Sequence, residues 1–84
     1  MALRHEGRAS FMQLLQWRSA IKLEKQGIRV ARRSVRRHAA LVMGCPERVG
    51  HDALIEHLDN VIDECKAKGA GLTTIVQFGE EESD

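Results

Sequence analysis

Arg32, Arg33, Arg36 and Arg37 put four guanidiniums into six positions, with Arg29 just upstream. A guanidinium is planar, permanently charged and carries a fork of donors that matches phosphate and carboxylate oxygens. Such a cluster suits an anionic partner, either an acidic protein surface or the backbone of a nucleic acid. Arg29, Arg32, Arg33, Arg36 and Arg37 are therefore the candidate partner-binding residues. The same run also has the composition of an ordinary solvated helix face, which needs no ligand.

Other reactive residue types are present at spacings that do little. Cys45, His51, His57 and Cys65 supply the elements of a metal site, but there is no Cys-x-x-Cys and no histidine pair at i, i+4. We expect no metal ligands. Ser34 and His38 are four apart, with no acid nearby in sequence to orient the imidazole. No glycine-rich phosphate loop occurs, so no cofactor and no catalytic residue are assigned, and the expectation is a non-enzyme. His38 falls beside apolar positions and reads as a satisfied core histidine. Cys65 reads as a small core residue.

The arginine cluster belongs to a chain whose charge is sorted by position. Residues 1–49 hold eleven Lys and Arg against three acids, a net of +8; residues 50–84 hold two against nine, a net of −7. The overall +1 conceals this dipole. Charge asymmetry of this kind bears on what a protein touches more than on how it folds.

Eighty-four residues make one domain. A chain of that length buries roughly 60–65% of its unfolded surface, which leaves a thin stability margin. Two cysteines cannot build a disulfide framework, and Met1–Glu6 lacks the apolar core of a signal peptide. No apolar run approaches the ~18–20 residues that span a bilayer. The expectation is a soluble cytoplasmic protein with reduced thiols and no membrane partner.

Three helices and a tail must position these residues. The first is expected over about 11–26, capped by Ser10 and stopped by Gly27, with Ile28 folding back on Leu23 in a Schellman closure. At 100° per residue, Phe11, Leu14, Leu15 and Ile21 share a face into which Arg18 and Lys22 intrude. Trp17, Ala20, Met12 and Leu23 spread around the other sides, so this helix should be central, with neighbours on two flanks. The second is expected over about 31–43, ended by Gly44-Cys45-Pro46; Ser34 as N-cap would make it shorter. It sets Ala31, Val35, His38, Ala39 and Val42 opposite Arg32, Arg33, Arg36 and Arg37.

The third helix, about 52–68, repeats Leu54, Ile55, Leu58, Val61, Ile62 and Cys65 at three- and four-residue spacings. Asp52, Glu56, Asp59 and Asp63 line its other side, and Gly69 ends it. Leu72–Phe78 reads as a strand by β-branched content. It needs a partner: the N-terminal segment, a second copy or another protein. Residues 79–84 form an acidic end. The fold class is thus all-α, a small three-helix domain with a C-terminal extended or β segment, single over 1–84.

The order of helices 2 and 3 invites comparison with a helix-turn-helix. The connector Gly44–Gly50 is longer than the usual three- or four-residue turn, and the second helix carries acids that phosphates would repel. That motif is rejected. What remains is an interaction module with an arginine face for an acidic partner, or alternatively a small nucleic-acid-binding protein using the same arginines. A third class is an enzyme subunit whose pocket forms between copies. Self-association is expected because helix 1 is apolar on several sides of a short chain. Phe11, Leu14, Trp17, Ile21, Ile75 and Phe78 are the candidate interface residues of a homo-oligomer.

Overall fold

Ser10 closes one element and opens the next. In the computed structural model, which describes residues 7–79, strand β1 (Arg8–Ser10) runs directly into helix α1 (Phe11–Lys25). Ser10 keeps extended backbone angles while its hydroxyl accepts the Gln13 N–H at 3.1 Å, the expected N-cap. At the other end Ile28 N donates to Leu23 O at 3.0 Å and Gly27 N to Glu24 O at 2.9 Å. This is the Schellman closure, and it requires the left-handed φ of +88° that Gly27 adopts. Helices α2 (Val35–Met43) and α3 (His51–Ala67) end on the same pair of bonds, made by Gly44 and Cys45 and by Gly69 and Ala70.

Helix α2 is the shorter of the two alternatives. Ser34 is its N-cap, accepting Arg37 N at 3.3 Å, and residues 31–33 form a bend before it. The start near 31 is therefore corrected. Arg32 and Arg33 lie in the approach to the helix, so the four arginines do not form one helical face. The buried side of α2 is also rotated from the expected one: Ala39, Ala40 and Met43 are buried, while His38 is exposed at the edge of the Trp17 ring.

Helix α3 follows its periodicity. Leu54, Leu58, Ile62 and Cys65 are buried, and Ile55 and Val61 pack against them. Helix α1 is central, touching α2, α3 and β1. Leu14, Ile21, Leu54 and Leu58 have no exposed surface. Phe11, Leu14, Trp17 and Ile21 are thus buried within one chain, and cannot also form an oligomer surface in this conformation. Three packed neighbours cover the apolar sides of α1. The acidic side of α3 is likewise partly answered within the chain, because Arg18 pairs with Asp59 and Lys25 with Asp52. That is why Arg18 intrudes on the apolar face of α1.

The strand expected at 72–78 is present as β2 (Ile75–Gln77). It pairs antiparallel with β1, matching Arg8 with Gln77, Ala9 with Val76 and Ser10 with Ile75. Of the three possible partners, the N-terminal segment is the one used. The pairing brings Gly7 against α2 so closely that a Cβ there would lie 2.0 Å from the Val42 carbonyl oxygen. Only a residue without a side chain fits. No helix among the described residues is long and apolar enough to cross a membrane. The acidic end from position 80 onward lies outside the described residues.

Candidate anion-binding cleft

Two carboxylates decide where the arginines go. The first is Glu24, in the last turn of α1. Its carboxylate accepts Val35 N at 2.6 Å, Arg36 N at 3.1 Å and the Ser34 hydroxyl at 3.3 Å, with His51 Nε2 3.7 Å away. Burial pushes this carboxyl up, but the bonds from Val35, Arg36 and Ser34 and the charge of His51 together hold it below the ordinary glutamate range. Glu24 therefore occupies the N-terminus of α2 as an internal anion near neutral pH. An external anion finds no vacant backbone amides there, so attraction must come from side chains.

The second carboxylate is Glu47, in the connector after α2. Arg37 Nη2 lies 3.1 Å from Glu47 Oε2. Arg36 takes a different route, sending Nη1 to the Glu47 and Val49 carbonyl oxygens. Position 36 lies four and seven residues before the buried Ala40 and Met43, so its side chain leaves α2 on the inner flank. Arg36 thus ties the connector to the helix and is removed from the recognition set.

Between the approach to α2, its outer side and the returning connector lies a cleft of about 650 Å³. Arg32, Arg33, Ser34, Arg37, His38, Leu41, Cys45 and Glu47 line it. Three of the five expected partner-binding residues are brought together here: Arg32, Arg33 and Arg37. Arg29 is exposed but does not line the cleft. Among the described residues Arg32 and Arg33 have no carboxylate within ion-pair distance. Ser34, His38, Leu41, Cys45 and Glu47 were not foreseen as lining residues. Their only sequence signal is that Gly44-Cys45-Pro46 forces the chain to turn back beside α2.

Burial pushes the Cys45 thiol up, the reverse of what a nucleophile needs. Cys45 and Cys65 are free thiols. Among the described residues no three His, Cys, Asp or Glu side chains converge where a metal ion could sit.

No protein-family model, curated protein or solved structure matches this chain. What the cleft can do therefore follows from its own residues.

Proposed function

We propose that this chain is a small non-catalytic interaction module that binds an acidic stretch of a partner protein through Arg32, Arg33 and Arg37. The observation that carries this reading is the grouping of three guanidiniums around one cleft, two of them without a carboxylate partner among the described residues. The Arg37–Glu47 contact supports a carboxylate as the preferred ligand, since the cleft already holds one such pair. Leu41, which is exposed beside the arginines, offers an apolar contact to the stem of a glutamate or to a neighbouring residue. The free thiols fit a reducing, cytoplasmic setting.

Nucleic acid is the weaker match. Duplex binding draws on cations spread along a phosphate track, whereas here Arg36 is engaged with the connector and Arg32, Arg33 and Arg37 converge on a single cleft. The exposed carboxylates of Glu56 and Asp63 on α3 would add repulsion along any extended track.

The test is a titration of the chain with a poly-glutamate peptide and with a short DNA duplex, each at about 50 and about 200 mM salt. The peptide should bind, and the double variant Arg32→Gln/Arg33→Gln should lose that binding while remaining folded. Tighter binding of the duplex, or undiminished peptide binding by the variant, overturns the proposal.

A further inference from the structure

The sheet has a free edge. Phe78 N donates to Gly7 O and Phe11 N to Thr74 O, each at 2.9 Å, so hydrogen-bonded pairs fall at alternate positions of the ladder, with Ala9–Val76 between them. Ile75 and Gln77 occupy the intervening positions, where N–H and C=O groups point away from the partner strand. Among the described residues no backbone group takes them. Ile75 is 59% exposed and Leu72 53%. Beside this edge lies a groove of about 420 Å³, lined by β2 and by the C-terminal end of α3, including Val61, Glu64, Cys65 and the C-cap Lys68.

We infer that a second copy of this chain docks here, its β2 adding antiparallel to the free edge of β2 about a two-fold axis. The two copies then share one four-stranded sheet. A two-fold through Val76 pairs Ile75 with Gln77 of the second copy, so every outward backbone group of both residues finds a partner. No other register of these two strands uses both residues equally on each side.

The α3 wall favours a second copy over a foreign peptide. Glu64 and Lys68 are both exposed and stand one turn apart on the groove. The same two-fold axis, passing beside α3 level with the turn between them, would set Glu64 against Lys68 of the second copy, and the reverse. The pair is complementary to itself and carries no net charge toward a strongly charged peptide. A two-stranded sheet of three-residue strands is also marginal alone, and doubling it protects an edge that would otherwise stay open. This surface is separate from the arginine cleft and does not depend on it. Of the interface residues expected from the sequence, it uses Ile75.

Light scattering and sedimentation equilibrium at high micromolar concentration should give a dimer of 9.4 kDa chains. Lys68→Glu alone should raise the dimer Kd about tenfold or more by opposing like charges across the axis, as should Glu64→Lys alone. The double swap Glu64→Lys/Lys68→Glu should restore wild-type association, because the reversed pair is again complementary. Gln77→Pro removes an outward N–H and leaves the β1 ladder intact, and should yield a monomer. Far-ultraviolet circular dichroism checks that each variant is folded, and the exposed α3 positions keep the test valid if the proline variant is not. A wild-type chain that stays monomeric overturns the inference. So does a dimer indifferent to the single charge reversals, or one that the double swap fails to restore.

Discussion

The carboxylate of Glu24 accepts the Val35 N–H at 2.6 Å, so the last turn of α1 caps the first turn of α2. The two helices are joined through this side chain as well as through the residues between them. Glu24 and Ser34 divide the work: Ser34 takes the Arg37 amide, and Glu24 takes Val35, Arg36 and the Ser34 hydroxyl. Loss of the carboxylate would leave amides at a helix start without an acceptor, a condition that natural helices avoid.

The pH dependence of stability should reveal this cap. The folded-state pKa of Glu24 lies below its ordinary 4.5, so the unfolded chain binds the proton more tightly. The stabilisation is therefore complete above the unfolded pKa and is lost as pH falls through the folded one. Urea midpoints measured from about pH 6 down to about pH 3 should fall, and Glu24→Gln should flatten that fall. Near neutral pH, Glu24→Ala should cost ~1–3 kcal/mol through the unsatisfied amides. An unchanged acid limb in Glu24→Gln would deny the carboxylate its capping role.

Gly7→Ala should be among the most damaging changes for its size. The added methyl would meet backbone, the Val42 carbonyl at 2.0 Å, and backbone cannot swing aside. Overpacking of this kind costs ~1–3 kcal/mol or more, a fall in Tm of about 10 °C in a domain this small. Gly71→Ala, where nothing lies within 4 Å, is the control and should melt close to wild type. Equal melting of both variants would show that β1 does not approach α2 as described.

The arginines should separate into two classes under substitution. Arg32→Gln and Arg33→Gln remove exposed charges and should each change stability by no more than ~0.5 kcal/mol. Arg36→Gln leaves the Glu47 and Val49 carbonyls without their donor and should cost ~1–3 kcal/mol. Chemical denaturation of the three single variants reads this directly. If all three have the same midpoint, Arg36 does not hold the connector.

Leu58→Ala tests the core. Leu58 has no exposed surface and lies on the α3 stripe facing α1. Truncation should cost ~2–5 kcal/mol from lost burial and the cavity left behind, a large part of the stability of a small domain. A midpoint within error of wild type would mean that α3 is packed in another register.

Local signals carried what could be read along the chain. The Schellman closure at Gly27, the Ser10 cap, the α3 stripe and the glycine–proline stop after α2 each depend on residues within about one or two helical turns. Sequence order alone displays such neighbours. The start of α2 was ambiguous because Ser34 and Ala31 offered competing beginnings, and the residue that decides between them, Glu24, is eleven positions before Val35. The strand near residue 75 announced its need for a partner but not which one, since β1 lies at the opposite end of the chain. The arginine run revealed charge but not direction. Helical spacing set Arg36 beside Arg37, yet the connector captures Arg36 and leaves Arg37 in the cleft with Arg32 and Arg33. Phe11, Leu14, Trp17 and Ile21 marked α1 as apolar on several sides, and only packing could show that one chain supplies enough neighbours to bury them. Composition and periodicity thus determined which residues must be covered and where helices must stop. Tertiary structure decided what covers them, because carboxylate caps, strand pairs and the close approach of Gly7 to Val42 join atoms that the sequence holds far apart.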